Sequence, residues 1–375
     1  MEQSNKNVEN NHGNLNVENY SFSRYTKPIK TVLKNIGDSS YLNAVLYCLG
    51  NIRNIASYFL NPRNQSYLNN NIGNKPLSYA FERLLIHFYP YPEKEKEKED
   101  SYQPNAFIEV LSALNICYKT TKKRNPNDLI TFLLNTLHME LNKVQNYNLN
   151  LNENKQDKNI VIKNALTKFK YTENSIIYNN VNWFELKESK CTECRNVTYE
   201  LRTFSTFALN IKESHSLLKQ NQNQKNYLTL YDCLDYYKSS KLHDLYCNNC
   251  SLQKKMVLIT NIFSSPGNFV FLLDRGDFDN DGKNVLRIPF ELSDKIELDN
   301  FIENKISPKK YQLIGIVSFN IEKQEYVSFC MSPVDKNWYS YKSEKGAEQM
   351  DISNIINIHN QFNNLIPFIL IYKSC

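Results

Sequence analysis

The chain has 375 residues, of which 41% are hydrophobic and 13% aromatic, so most of it should fold around a large apolar core. The formal net charge is +6, but lysines alternate with acidic residues instead of forming a basic block, which argues against a nucleic-acid surface. The longest apolar run, Leu365 to Tyr372, is far shorter than the roughly 20 residues of a membrane-spanning helix, and residues 1–20 lack the apolar segment of a secretory signal. We therefore expect an intracellular protein, cytoplasmic or nuclear, with no membrane or direct nucleic-acid partner.

The first third of the chain is predicted to be helical after a polar start. Residues 1–28 are rich in asparagine, show no apolar periodicity and are predicted to be disordered. From Val32 to about Lys143 apolar residues recur at helical spacing. Asp38 and Ser39 can cap a helix that begins at about Ser40. Further helices are predicted over Ala106–Leu114 and after Asn125-Pro126, the latter with an apolar face of Leu129, Leu133, Leu134 and Leu137.

The remainder of the chain is predicted to be rich in β-strands. Residues 144–172 are rich in asparagine and lysine and are interpreted as an inserted loop. After Trp183, short β-branched and aromatic runs alternate with turn residues, which makes the chain an α+β protein. The predicted strands are Val197–Leu201, Phe204–Ile211, Met256–Ile262, Phe269–Leu273, Tyr311–Phe319, Tyr326–Cys330, Trp338–Tyr341 and Phe368–Tyr372.

Four of the nine cysteines form two C-x-x-C pairs, Cys191 with Cys194 and Cys247 with Cys250. An odd total without a secretion signal argues against a disulfide framework. Each pair places two sulfurs on one turn, and two such turns complete a tetrahedral zinc shell with Zn–S distances of about 2.3 Å. Because all four ligands are thiolates, we predict one structural zinc per chain and no catalytic metal. The alternatives are four unrelated buried thiols or a redox pair, although neither pair has the strand-to-helix setting of a redox motif.

The segment around the first predicted helix reads Leu33-Lys-Asn-Ile-Gly-Asp-Ser-Ser-Tyr-Leu-Asn-Ala-Val-Leu46. It resembles the N-terminal box of the ubiquitin-specific proteases, N-L-G-N-T-C-Y-M-N-S-x-L-Q. Other weak motifs of this family follow in the right order, so that the resemblance covers about residues 30–374. They are Phe132–His138 for F-L-L-D-x-L-H, Tyr231–Tyr237 for D-C-L-x-x-Y/F, Phe271–Arg275 and Lys283–Phe290 for the strand pair that ends in F-P, and Tyr311–Val317, Trp338–Tyr341 and Pro367–Tyr372 for the last three strands.

This resemblance implies the papain-like cysteine-peptidase fold, with a helical thumb, a β-sheet palm and zinc-tipped β fingers, and with ubiquitin lying across the palm. In this chain the protease-like domain would span residues 29–375. The thumb would take 29–143, an Asn/Lys-rich insertion 144–180, the fingers 181–262 and the palm 263–375.

The same resemblance places residues of other types at the catalytic positions of the family. Ser40 stands where the family has its cysteine nucleophile, and Glu325 where it has the histidine base. Lys342-Ser343 replaces the Asp or Asn that orients this histidine. Because a serine hydroxyl is far from ionising at pH 7 and needs a neighbouring base, these replacements predict loss of catalysis. Asn35 matches the oxyanion donor, although an asparagine there can equally shape the turn into the helix.

None of the six histidines is expected to supply the missing base. His138 falls within a predicted helix and is interpreted as structural, and His359 falls in what reads as an Asn-rich loop.

The leading hypothesis is a catalytically inactive homologue, expected to be a monomer, that binds ubiquitin, a ubiquitin-like modifier or another protein partner in the same cleft. One alternative, which rests on analogy with inactive family members, is a scaffold subunit of an RNA-processing complex. Another is an active deubiquitinase with unusual catalytic residues. An open channel for the tail of ubiquitin favours the first hypothesis, and bulky residues that close the channel favour the scaffold.

Overall fold

The computed structural model describes residues 27–90, 101–119, 122–144, 155–220, 225–276, 285–342 and 346–375. The segment predicted to be disordered, 1–28, lies outside the described residues except for its last two, and Ser343 lies outside them too. The helices of the described part are α1 Ser40–Gly50, α2 Arg53–Phe59, α3 Pro62–Asn69, α4 Pro76–Phe88, α5 Asn105–Leu114, α6 Pro126–Leu141, α7 Lys158–Thr172, α8 Ile176–Val181, α9 Ile211–Gln220, α10 Leu230–Lys238 and α11 Ile352–Asn360.

The strands form two large sheets and one short parallel pair, β1 with β2. They are β1 Val32–Leu33, β2 Ser101–Tyr102, β3 Trp183–Cys191, β4 Val197–Phe204, β5 Phe207–Asn210, β6 Lys241–Cys247, β7 Leu252–Ser264, β8 Asn268–Asp274, β9 Lys295–Glu297, β10 Lys310–Asn320, β11 Glu325–Met331, β12 Trp338–Lys342, β13 Gly346–Met350 and β14 Leu365–Ser374. The α+β class predicted from the sequence is confirmed.

The helical layer consists of α1 to α6, which pack together and against one face of the larger sheet. Helix α1 begins at Ser40, as predicted, and every one of its residues is buried, because it lies between the sheet and the other helices. Helix α6 begins at Pro126, where the side chain of Asn125 accepts a hydrogen bond from the backbone amide of Asn127. Its predicted leucine face is buried in the same core.

The larger sheet has the strand order β13-β12-β11-β10-β14-β8-β5, with β9 paired to β10. Neighbouring strands are antiparallel except β5 and β8, which are parallel. Because side chains alternate across a strand, each central strand contributes to two cores. In β11, Tyr326 and Cys330 face the helical layer, whereas Val327 and Phe329 belong to a second core that includes residues of α9, α10 and α11.

The smaller sheet is a ribbon of four antiparallel strands in the order β4-β3-β7-β6. The β3–β4 and β6–β7 hairpins both turn at the same end of this ribbon, because Cys191 pairs with Met256 and Cys247 with Leu252. The two C-x-x-C segments therefore meet at that end.

Of residues 144–172, interpreted as a loop, 145–154 lie outside the described residues, and the structure corrects the remainder, since α7 occupies Lys158–Thr172. The side chain of Asp157 accepts hydrogen bonds from the first amides of the helix and so caps it. Helix α7 packs against β4, and the ring of Phe169 lies 5.5 Å from that of Phe184. Frequent lysines and asparagines obscure its weak apolar face in the sequence. Within the described residues, none of the helices is long and apolar enough to cross a bilayer.

Candidate functional site

The site lies where the N-terminus of α1 meets the larger sheet. Gly37 has a φ of +59°, which lets the chain turn sharply before the helix. Ser39 occupies the N-cap position, but its hydroxyl accepts a hydrogen bond from the amide of Ile36 at 2.8 Å and not from an amide of α1. Asp38 is exposed. The predicted start of the helix is therefore confirmed, whereas the predicted side-chain cap is wrong.

Ser40 makes direct contact with the first strand residues of β11. Its side chain is 5% exposed, and its Oγ accepts a hydrogen bond from the backbone amide of Tyr326 at 3.1 Å. Glu325, the preceding residue, begins β11 and is half-buried. The structure thus brings Ser40 and the start of β11 together. Among the described residues, no imidazole is hydrogen-bonded to Ser40.

Lys342 ends β12, the strand that borders β11. Its ammonium group lies 3.0 Å from the carboxylate of Glu348 in β13. Both side chains are substantially exposed, so this ion pair contributes little to stability.

Asn35 lies in the turn that precedes α1 and is exposed. Its side-chain oxygen accepts a hydrogen bond from the Nδ2 of Asn43 at 2.9 Å. Asn43 also donates to the carbonyl of Leu33 at 3.2 Å. These bonds tie the turn to the second turn of α1, so in this structure Asn35 shapes the entry into the helix.

A cleft of about 560 Å³ lies between α6 and the strands β5 and β8. Helix α6 forms one wall, mainly with polar side chains but also with Phe132 and Met139, and Ala208, Leu272 and Asp274 come from the strands. Asp128 and Asp274 supply two carboxylates. Sequence reasoning missed this wall, although Asp128, Thr131 and Asn135 follow helical spacing on one side of α6 and could have indicated it.

Lys123, which precedes α6, contacts the turn before Glu325 at the start of β11. Its ammonium donates to the carbonyl of Gln324 and lies 5.7 Å from the centre of the Phe319 ring. Lys123 thus links the segment before α6, of which Asn125 lines the cleft, to the turn that precedes β11.

His138 takes part in a Ser–His–carboxylate arrangement outside the cleft. Its Nδ1 lies 2.8 Å from Ser175 Oγ and its Nε2 lies 2.8 Å from Glu173. Ser175 is buried, and its hydroxyl already accepts a hydrogen bond from the amide of Tyr178 as the N-cap of α8. The arrangement therefore joins α6 to α8 and leaves no exposed nucleophile.

His359 lies in α11 and not in a loop, which corrects the sequence interpretation. It is 1% exposed, and its Nδ1 donates to the carbonyl of Ile355 at 2.7 Å. Its Nε2 therefore accepts the hydroxyl proton of Ser318 at 2.8 Å. Burial lowers the pKa of His359 to about 4, so the ring is neutral at physiological pH.

The four cysteines of the C-x-x-C pairs converge at the end of the ribbon. The sulfurs of Cys191, Cys194, Cys247 and Cys250 all lie within 4.8 Å of one another, and those of Cys194 and Cys247 are 3.6 Å apart. A tetrahedral thiolate shell around zinc has sulfurs about 3.8 Å apart, a spacing close to the 3.6 Å between Cys194 and Cys247. Hydrogen bonds, chiefly from the backbone of residue 196, lower the pKa of Cys194 to about 6. These residues could hold a metal ion.

Comparison with known proteins gives a consistent result over the whole fold. A family model described as ubiquitin carboxyl-terminal hydrolase matches residues 31–372. Ubiquitin carboxyl-terminal hydrolase 4 of Saccharomyces cerevisiae is 20% identical over 345 residues, covering 84% of this chain and 36% of that protein. Ubiquitin carboxyl-terminal hydrolase Usp2 of Drosophila melanogaster is 22% identical over 336 residues, covering 86% and 33%. The chain spans about a third of the length of these curated relatives.

Solved structures also share the fold. The SAGA Ubp8/Sgf11/Sus1/Sgf73 DUB module bound to ubiquitin aldehyde aligns with a TM-score of 0.64 at 17% identity, covering 95% of this chain and 71% of the matched chain. The same module bound to monoubiquitin aligns with a TM-score of 0.63 at 15% identity, covering 94% and 70%. At these identities the likeness establishes the fold alone.

Proposed function

We propose, since this chain belongs to the ubiquitin carboxyl-terminal hydrolase family, that it is a non-catalytic member that binds ubiquitin or a ubiquitin-like modifier. Membership of this family makes ubiquitin and its relatives the expected ligands. The residue types at the catalytic positions argue against turnover. Ser40, Glu325 and Lys342, with Ser343, would be the degenerate catalytic positions, and Asn35 the position of the oxyanion donor.

The hydrogen bond from the Tyr326 amide to Ser40 Oγ is the observation that carries this proposal. A hydroxyl attacks a carbonyl only when a base takes its proton, and here a backbone donor contacts that hydroxyl. A backbone amide cannot accept the proton, and Glu325 is a weak base for it. Without proton transfer to the leaving group and activation of water, no acyl-enzyme would form or hydrolyse.

The open cleft along α6 supports binding. Its two carboxylates, from Asp128 and Asp274, favour a peptide with positive charge. A modifier lying across the larger sheet would direct its C-terminal tail along α6 toward Ser40. Since the matched structures contain ubiquitin, ubiquitin is the first ligand to test.

Anisotropy of labelled ubiquitin titrated with the full chain tests binding. We expect saturable binding that Ala208→Trp weakens at least tenfold, because the indole would fill the cleft from the exposed face of β5. Ala113→Trp, on the exposed side of α5, is the matched control and should bind as wild type. Absence of binding, or equal binding by both variants, would contradict the proposal.

Hydrolysis of a fluorogenic ubiquitin substrate tests the non-catalytic half. We expect no turnover above that of buffer. Wild-type hydrolysis that is abolished by Ser40→Ala would overturn this half of the proposal and favour an active deubiquitinase with unusual catalytic residues.

We also propose that the four-cysteine cluster binds one zinc ion in a structural role. Four thiolates fill a tetrahedral shell, so no position remains for substrate or water. The ion would join the β3–β4 turn to the β6–β7 turn, which otherwise share few apolar contacts at this end of the ribbon.

A scaffold function, including the RNA-processing complex suggested by analogy, is the second candidate. The β6–β7 hairpin favours it, because Leu242, Tyr246 and Leu252 are all exposed there. Exposed apolar side chains on an edge strand are typical of protein contact surfaces. A partner whose binding is lost with Leu242→Ser and Tyr246→Ser but retained with Ala208→Trp would favour the scaffold over the modifier.

A further inference from the structure

Two buried cysteines outside the metal cluster lie side by side. Cys48 belongs to α1 and Cys330 to β11, and their sulfurs are 3.6 Å apart. Cys48 is 2% exposed and Cys330 is fully buried. Neither residue belongs to the candidate site or to the four-cysteine cluster, so their proximity needs a separate explanation.

The backbone around the pair makes room for both sulfurs. Gly315 in β10 lies opposite Cys330 in the antiparallel register, and a Cβ at this glycine would come within 3.6 Å of Cys48 Sγ. The thiol of Cys48 also points at the carbonyl of Ile316, at 3.7 Å. The sulfurs thus occupy a small space between α1 and the sheet that a larger residue at position 315 would reduce.

The pair connects the same two elements that form the Ser40 site. At its N-terminus α1 contacts β11 through the Ser40 hydroxyl and the Tyr326 amide. Two helical turns further along, Cys48 contacts Cys330 near the other end of β11. A covalent bond at the second point would prevent α1 from separating from the sheet at either end.

We propose that Cys48 and Cys330 form a redox-sensitive disulfide that locks α1 to β11 when a small-molecule disulfide such as oxidised glutathione is the oxidant. One protein thiolate attacks the oxidant, forms a mixed disulfide and releases one glutathione thiolate. The second protein thiolate attacks the protein sulfur of that mixed disulfide and releases the second glutathione thiolate. Two thiol protons are lost from the protein, two electrons pass to the oxidant, and one S–S bond forms for the one that breaks.

The lock would form slowly. The sulfurs must approach from 3.6 Å to about 2.05 Å, and burial keeps the oxidant out until α1 opens away from the sheet. Burial also raises the pKa of Cys330 well above its ordinary value, which disfavours the reactive thiolate. Once formed, the bond would hold the Ser40 end of α1 in its present position.

Incubation of the full chain in oxidised glutathione, followed by alkylation and non-reducing peptide mass spectrometry, tests the proposal. We expect one species in which the peptide containing Cys48 is joined to the peptide containing Cys330. The exposed Cys117 serves as an internal reference for unhindered reaction with glutathione. Finding Cys48 and Cys330 still as free thiols after incubation continued long past the complete modification of Cys117, or joined to other cysteines, would refute the proposal.

Urea unfolding gives a second readout that does not depend on peptide recovery. The unfolding midpoint of the wild type should rise after oxidation, because the cross-link restricts the unfolded chain. Cys48→Ala and Cys330→Ala should each abolish this rise, whereas Cys117→Ser should retain it. An equal rise of the midpoint in all four proteins would also refute the lock. If Cys48→Ala or Cys330→Ala fails to fold, the peptide map of the oxidised wild type shows by itself whether the disulfide forms.

Discussion

The four-cysteine end of the ribbon and the Ser40 site differ in how well the side chains of each site fit one another. At the ribbon end, four side chains of one chemistry converge from two hairpins to within 4.8 Å. At the Ser40 end, a hydroxyl contacts a backbone amide, and the neighbouring Lys342 pairs with Glu348.

The four cysteines are side chains that would stabilise the fold, whereas side chains such as Ser40 lie at positions that would perform a reaction. A structural metal site contributes directly to folding, so losing one ligand destabilises the chain. A nucleophile and its base contribute little to stability, so their replacement leaves the fold intact. On the proposed function, the chain would retain a metal site for stability and would have lost the catalytic one without cost to its structure.

The largest expected effect is the loss of one metal ligand. Cys247→Ser should reduce bound zinc from one per chain to near zero and destabilise the ribbon by several kcal/mol, because the remaining thiolates no longer close the shell. Elemental analysis and amide hydrogen exchange in β3, β6 and β7 measure the two effects. Cys117→Ser, an exposed cysteine outside the cluster, is the control. Zinc-free wild-type protein, purified without chelator, would show that the cluster is not a zinc site.

The second effect is a gain of turnover at the Ser40 end. Ser40→Cys alone should label slowly with an electrophilic ubiquitin probe, since a thiol at a helix N-terminus gains some thiolate character, but it should not turn over. Ser40→Cys with Glu325→His and Lys342→Asn adds the base and its orienting group, worth about 10²- to 10⁴-fold in rate. Steady-state hydrolysis of a fluorogenic ubiquitin substrate distinguishes the two variants. Turnover by Ser40→Cys alone would mean that the base lies elsewhere.

A third prediction concerns the Ser318–His359 pair, which has catalytic residue types but a structural setting. Burial lowers the pKa of His359 from 6.5 to about 4 in the folded chain. Between these two pH values, the imidazole is therefore protonated in the unfolded chain and neutral in the folded chain. Its contribution to stability is therefore present above pH 6.5 and is lost as the pH falls toward 4, by about 3 kcal/mol in full. His359→Gln should remove most of the pH dependence of the urea-unfolding midpoint over this range. His243→Gln, on the exposed strand β6, should leave that pH dependence unchanged.

The smallest effect is expected from Ser40→Ala. Removing the hydroxyl leaves the buried amide of Tyr326 without its acceptor, which costs about 1 kcal/mol. Urea denaturation measures the loss, and Ser57→Ala, which removes an exposed hydroxyl bonded within its own helix, is the control. An unchanged midpoint would indicate that water replaces the hydroxyl and that the contact between α1 and β11 does not depend on Ser40.

The sequence by itself determined the elements whose signals are local. The leucine spacing of α6 and the short aromatic and β-branched run of β11 require only neighbouring residues, and both elements fall where predicted. The two C-x-x-C pairs predicted that their four thiols would converge, because four such ligands complete one tetrahedral metal shell, and the structure brings them together. The order of family motifs then assigned Ser40 and Glu325 to the catalytic positions of the family.

Only the tertiary structure decided what surrounds those residues. Helix α7 looks like a loop in the sequence because frequent lysines and asparagines obscure the weak apolar face that packs on β4. His359 looks like a loop residue until α11 covers the sheet and buries it against Ser318. The partners of Ser40 and Cys48 are likewise set by the docking of α1 on β11, where residues more than 280 positions apart make contact. Contacts of this kind depend on the register and approach of whole elements, which local sequence patterns do not encode.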